Sequence, residues 1–257
     1  MMRFFYTFSI HIYSLLIHVF SVFNPKAKLW VNGRKNIFEK LSLEFSKSNP
    51  HKNLVWFHCA SLGEFEQGRP LIEKFKVQHP DYKIFLTFFS PSGYEIRKNY
   101  KGADFVFYLP KDTPRNAKQL IRIMNPKAVF FIKYEFWFNY LNELKNNNIP
   151  TYLVSGIFRK EHYFFKFYGT WFRKQLNCFS HFYFQTEESK QLLKSIGYNN
   201  ATVCGDTRFD RVFEISKQVV SISLIEKFKQ NKNIFIAGST WLEDEEVIAN
   251  CKLQITN

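Results

Sequence analysis

Beyond Pro50 the chain repeats one rhythm: a short apolar run, then a longer polar or amphipathic stretch. The apolar runs, 54–60, 84–89, 105–109, 128–132, 151–154 and 182–185, have the length of strands rather than helices. The stretches between them, 64–78, 91–100, 114–124, 135–146, 160–176 and 187–196, are spaced as helices. Strands rich in β-formers and separated by helices predict a parallel sheet wrapped in helices, a Rossmann-like α/β domain over residues 26–204.

The rhythm fails at both ends. Residues 4–23, "FFYTFSIHIYSLLIHVFSVF", carry no formal charge and match the roughly 30 Å of hydrocarbon that a helix must cross. Thr7, His11, Ser14, His18 and Ser21 recur at intervals of 4, 3, 4 and 3, which puts the polar residues on one helical stripe. That stripe fits a helix lying in a membrane interface, or one packed on protein, as well as it fits a span. A signal peptide is the weaker reading, because no small-x-small cleavage site follows and the next segment, "NPKAKLWVNGRK", is basic. Residues 1–25 are therefore expected to be a membrane anchor, with all that follows on the cytoplasmic side. At the other end, "VCGDTRFDRVFEISKQVVSIS" breaks the pattern, and 205–232 is read as a linker. A new strand-helix unit, "NIFIAGST" then "WLEDEEVIAN", opens a second domain at 233–257. One such unit cannot bury its own apolar face, so the chain is expected either to be cut short there or to pack 234–257 on the first domain.

Composition narrows the picture modestly. A formal net charge of +14 over 257 residues implies an anionic partner, which nucleic acid, anionic lipid and phosphorylated small molecules all satisfy. Cys59, Cys178, Cys204 and Cys251 show neither CxxC pairing nor metal-ligand spacing, and read as reduced thiols packed as small hydrophobes. Aromatic residues make up 19% of the chain, more than core filling asks of a soluble domain.

In a parallel α/β sheet, ligands gather at the carboxyl ends of the strands. Glu64, Ser90, Ser92, Glu135, Ser155, Thr186 and Glu187 all follow expected strands, and one sheet edge brings Glu64 and Glu135 to a common cleft. Each glutamate also has a plain explanation, since acidic residues in a first helical turn gain about 0.3 to 1 kcal/mol from the helix dipole. Gly63 beside Ser61 leaves room for a ligand near backbone N–H groups. "RKEHYFFKFYGTWFRK", Arg159 to Lys174, crowds five basic and seven aromatic residues into an expected helix suited to lipid phosphates, to stacked bases, or to a core helix with a solvated basic face. The "GST" at Gly238 to Thr240 is a weak phosphate-contacting turn. No GxxxxGK[ST] loop, GxSxG elbow, HExxH or RNA-recognition motif is present.

These pieces together resemble the 3-deoxy-D-manno-octulosonic acid (Kdo) transferases of lipopolysaccharide assembly. The likeness rests on "FHCASLGE" for the family's H-x-x-S-x-G-E, "YLPKDTP", "PKAVFFIKYEFWFN" for its E-x-W-x-N, "GDTRFD" and "IAGSTWLEDEE". It implies a GT-B glycosyltransferase whose first Rossmann-like half binds the lipid acceptor and whose second binds CMP-Kdo. The implied reaction moves Kdo from CMP-Kdo to a lipid A precursor, lipid IVA, at the cytoplasmic face of the inner membrane, inverting the anomeric centre without metal or other cofactor. CMP leaves readily, so one base suffices. The likeness assigns that base to Glu64, whose helix-start position is expected to depress its pKa. It assigns acceptor positioning to Glu135, and substrate contacts to Ser61, Gly63, Ser155, Arg159, Lys160, Arg208, Ser239 and Thr240.

The chain departs from the family at "SGIFR", where many members carry N-A-R-L-S and Arg159 stands in for a basic residue two places earlier. It also lacks the remaining nucleotide-binding loops, so a polypeptide ending at Asn257 is expected to hold CMP-Kdo poorly. A membrane-associated, catalytically silent binder of anionic lipid is the alternative, with a nucleic-acid binder third.

Overall fold

The computed structural model describes residues 1–48, 53–217, 221–230, 232 and 234–250. Seven parallel strands form one sheet: β1 (Leu54–Cys59), β2 (Lys83–Phe88), β3 (Phe105–Tyr108), β4 (Ala128–Ile132), β5 (Thr151–Gly156), β6 (His181–Phe184) and β7 (Ala201–Val203). Their order, β3-β2-β1-β4-β5-β6-β7, means the chain winds outward from β1 in one direction and then restarts at β4 in the other. A crevice opens where such a winding reverses, here between the carboxyl ends of β1 and β4.

Side-chain alternation along β1 divides the core into two layers. Leu54 and Trp56 join one cluster with α3 (Ile37–Ser48), α6 (Pro114–Met124) and α7 (Phe138–Asn146). Val55, Phe57 and Cys59 join the other with Phe65 and Ile72 of α4 (Leu62–Gln78). Both faces are covered, which is why the strands read as nearly unbroken apolar runs. Helices begin where the sequence supplies caps: Ser90 and Thr113, each followed by proline, accept from Ser92 and Asn116 N–H at 3.3 Å and open α5 (Pro91–Arg97) and α6. Gly68 lets α4 lie close on the sheet, since a Cβ there would meet Ile132 Cγ1 at 2.9 Å.

The N-terminal segment is a helix, α1 (Met2–Phe20), which turns Thr7 and Ser14 of its polar stripe toward the protein and leaves His11 and His18 exposed. Ser14 is buried, Asn139 Nδ2 donates to Thr7 Oγ1 at 3.2 Å, and Tyr6 donates to Asp112 at 2.5 Å. Phe4, Phe8, Leu15, Leu16 and Phe20 are left exposed. Among the described residues no helix is long and apolar enough to cross a membrane. Arg34, just after α2 (Pro25–Gly33), ties this region to the sheet by donating to the carbonyls of Leu109, Trp30 and Phe89 at 2.9, 3.1 and 2.8 Å. Burial of that cation pushes its pKa down to about 9.

Four expectations need correction. Residues 160–176 are not one helix but two 3-10 turns, Tyr163–Phe165 and Phe167–Gly169, followed by α8 (Thr170–Gln175). The aromatics there point different ways: Phe164 is in the core, whereas Phe167 is 93% exposed, and one straight helix cannot serve both. Next, α7 starts at Phe138, three residues beyond Glu135, which leaves that carboxylate in a loop. The sheet has a seventh strand, β7, that was not foreseen, and the 205–232 segment read as a linker carries α10 (Thr207–Ser216) and α11 (Ser223–Lys229). Finally, 234–238 is not a strand among the described residues, because a lone βα unit offers no neighbouring strand to pair with; its helix, α12 (Leu242–Asn250), does form. The chain divides into two units, 1–214 and 215–257. Cys59 and Cys178 are buried free thiols and Cys204 an exposed one, while Cys251 lies outside the described residues.

Candidate active site

The motif "FHCASLGE" runs off β1 into α4. Ser61 is the residue before the helix, with extended backbone, and its N–H donates to Glu64 Oε2 at 3.1 Å. Glu64 is thus a helix-start carboxylate in the capping-box position. Its pKa goes the opposite way from the sequence expectation. Burial, reinforced by the charge of Glu135, pushes the carboxyl from 4.5 up to about 7, against the backbone N–H groups and Lys133, which favour the anion. Desolvation outweighs the helix start because α4 is packed directly on the sheet.

Glu135 sits across the crevice in the loop after β4, 8% exposed. Its Oε2 receives Trp137 Nε1–H at 2.5 Å and lies 3.2 Å from His58 Nε2. His58 stands inside β1, fully buried, directly opposite Thr87 of β2, and its Nδ1 is 2.8 Å from Thr87 Oγ1. Trp56 Nε1 donates to the same hydroxyl at 2.7 Å. A polar thread therefore runs from inside the sheet to the second carboxylate. His58 and Trp137 were not foreseen as site residues. A histidine in an otherwise apolar strand, "LVWFHC", was the available signal, since a buried polar group requires partners.

Two adjacent strand ends carry left-handed backbone on residues other than glycine. Lys133 has φ 73° at the end of β4 and Ser155 has φ 55° in β5. Such conformations cost on the order of 1–3 kcal/mol and concentrate at functional sites. Lys133, another residue missed in the sequence, favours the ionised forms of both Glu64 and Asp206. Ser155 is buried, 2.9 Å from Thr207 Oγ1.

The other expected contacts are dispersed. Gly63 is exposed, with open space where a Cβ would stand. Arg159 and Lys160 lie exposed after β5. Arg208 holds Asp206 through Nε at 2.7 Å and Nη2 at 2.5 Å, and that contact lowers the Asp206 pKa. Ser239 and Thr240 belong to the second unit, where Thr240 donates to Glu245 at 2.9 Å. Within 1–214, the crevice assembles Glu64, Glu135, Lys133 and His58: a carboxylate titrating near neutrality beside a second, hydrogen-bonded carboxylate. Such an arrangement can accept a proton from an alcohol bound between the two.

A 3-deoxy-D-manno-octulosonic acid transferase of Haemophilus influenzae is 26% identical over 259 residues, covering 96% of this chain and 58% of that protein. The corresponding transferase of Aquifex aeolicus is 29% identical over 176 residues, covering 67% and 46%. The chain thus spans roughly half the length of these relatives. Among solved structures, the UDP-N-acetylglucosamine 2-epimerases of Rickettsia bellii and Neisseria meningitidis superpose with TM-scores of 0.51 and 0.50 at 13% and 15% identity. They cover 70% and 69% of this chain and 52% of each of those chains, a likeness that shows the Rossmann-like fold alone. The family model for 3-deoxy-D-manno-octulosonic-acid transferase (kdotransferase) matches residues 35–211, and the chain belongs to that family.

Proposed function

We propose that this chain is the acceptor-binding half of a glycosyltransferase that moves Kdo from CMP-Kdo to a lipid A precursor, with Glu64 as general base. The observation that carries the reading is the carboxylate pair at the β1/β4 reversal, with Glu64 pushed up to about 7. A base of that strength is substantially ionised near pH 7 and still takes a proton readily. An acceptor hydroxyl oxygen attacks the anomeric carbon from the face opposite CMP, and its proton passes to Glu64. The bond from the anomeric carbon to the phosphate oxygen breaks, and its electron pair leaves with CMP. The configuration inverts, and the step calls on no metal. Glu135 orients the acceptor: its Oε2 is taken by Trp137 and His58, while Oε1 has no hydrogen-bond partner among the described residues. The test is mass spectrometry of a lipid A precursor incubated with CMP-Kdo and the natural-length protein. One added Kdo residue per transfer is expected, and an unmodified lipid overturns the proposal.

The inverted amphipathicity of α1 supports a place on the inner membrane at its cytoplasmic face. Exposed Phe4, Phe8, Leu15, Leu16 and Phe20 form the apolar side of an interfacial helix. Lys160 and Lys166 can add contacts to lipid phosphates; Arg173 is engaged with the carbonyls of Phe164 and Lys166 at 3.3 Å. Replacing Phe8 and Leu15 together by glutamate should weaken sedimentation with anionic vesicles by at least about tenfold, since each buried apolar side chain is worth roughly 1.5–3 kcal/mol. The melting temperature should hold, because both side chains are exposed. Undiminished vesicle binding by the double variant would remove α1 from the membrane contact.

A further inference from the structure

We propose that the apolar pocket between α1, α2 and the Glu135 loop takes one acyl chain of an anionic lipid whose headgroup extends to Glu64 and Glu135; that this lipid is the acceptor rests on the reaction proposed above. The pocket has a volume of about 320 Å³. Ile10 and Tyr13 of α1 form one wall and Trp30 of α2 another, while Phe89 and Trp137 come from the loops after β2 and before α7. Their rings touch in series. Tyr13 stacks on Phe89 with centroids 6.2 Å apart, Trp30 meets Phe89 edge-on at 5.9 Å, and Phe89 lies 4.7 Å from Trp137. Trp137 is the ring whose N–H reaches Glu135, and Phe89 N–H donates to the carbonyl of Ala60, next to Ser61, at 3.2 Å. The pocket thus shares a wall with the carboxylate crevice, and one molecule can occupy both.

The lining selects hydrocarbon. A sugar ring needs several hydrogen-bond partners, but Trp137 Nε1 is engaged by Glu135, and Trp30 Nε1 and Ser14 are buried. Asp112 has both oxygens occupied, by Tyr6 and by the N–H groups of Asn139 and Tyr140. The half-buried Lys111, also in the lining, has no hydrogen-bond or ion-pair partner for its ammonium among the described residues. An apolar slot with one unpaired cation suits a hydrocarbon chain carried on a phosphate. The volume holds about ten methylene groups, each taking close to the roughly 30 Å³ of a water molecule in the liquid. Leu16, one helical turn from Tyr13, is exposed, so the pocket adjoins the side of α1 proposed to lie on the membrane.

Calorimetric titration of the full chain with hexyl to tetradecyl phosphates, each below its micelle-forming concentration, tests the pocket. The dissociation constant should fall about fourfold per added methylene and level off near about ten carbons, where the cavity is full. Ile10→Trp, which fills the slot from the α1 wall, should weaken decyl phosphate by at least about tenfold. Should that variant not fold, Ile10→Phe should move the plateau to shorter chains. Lys111→Met should weaken the phosphates about fivefold and leave alkyl glucosides of the same length unchanged. The Trp137 indole proton, which marks the shared wall, should shift in the NMR spectrum as decyl phosphate saturates the protein. An affinity that climbs through tetradecyl without a plateau is adhesion to the exposed face of α1 and overturns the proposal, as does a plateau unmoved in a folded Ile10 variant. An unshifted Trp137 proton removes the link to the crevice, and phosphates unaffected by Lys111→Met remove the charged rim. A plateau in a protein that transfers no sugar refutes the reaction and leaves the pocket standing; sugar transfer without the plateau does the reverse.

Discussion

Replacing Glu64 by glutamine should lower Kdo transfer by about 10³-fold, within the range that a positioned general base contributes. The variant keeps the side-chain oxygen that accepts Ser61 N–H at 3.1 Å, so α4 should still start in place. The loss should therefore appear in kcat more than in KM for the lipid. In the unmodified enzyme the rate should rise with pH and level off above about 7, where Glu64 has lost its proton. Stability should show the opposite trend. The folded-state carboxyl at about 7 lies above its ordinary 4.5, so folding binds this proton more tightly than the unfolded chain does. The contribution is complete below about 4.5 and is lost as pH rises through about 7. Glutamine cannot titrate, so melting temperatures measured from pH 5 to 8 should lose that slope in the variant. A Glu64→Gln enzyme within tenfold of the unmodified one would exclude Glu64 as the base.

The parallel sheet was legible in the sequence because its strands are buried on both faces and read as apolar runs bounded by turn residues. β7 escaped because its three residues, "ATV", carry too little pattern to register. The segment 160–176 misled for a physical reason: counting basic and aromatic residues does not reveal which aromatics enter the core, and Phe164 does while Phe167 does not. Glu64 and Glu135 could be found by their places after strands and by the family likeness, but their electrostatics could not. A helix start argues for a depressed pKa, and only the packed structure shows that burial beside a second carboxylate wins. His58, Thr87 and Trp137 act through contacts across strands and loops, with His58 and Trp137 79 positions apart in sequence. No local spacing encodes such a contact.

Replacing Asp112 by alanine should destabilise the protein by about 3–5 kcal/mol, the cost of breaking a buried charged network from one side. The motif "YLPKDTP" delivers this carboxylate to the start of α7, where Oδ2 accepts Asn139 N–H at 3.1 Å and Oδ1 accepts Tyr140 N–H at 3.0 Å. Tyr6 of α1 donates to Oδ2 at 2.5 Å. One buried side chain thus caps α7 and docks α1, which explains why α7 needs no acidic residue in its own first turn and why Glu135 is free to lie in the loop before it. Burial pushes the Asp112 carboxyl up to about 6, and its three donors offset only part of the desolvation. With alanine, two backbone N–H groups lose their acceptor in the core, each costing about 1–3 kcal/mol, and the Tyr6 hydroxyl is stranded as well. Asparagine keeps one acceptor oxygen and should fall between. Urea unfolding midpoints rank the three proteins, and limited proteolysis should cut α1 first in the alanine variant. An alanine variant within 1 kcal/mol of the parent would show that α7 and the adjoining Glu135 loop are held by other contacts.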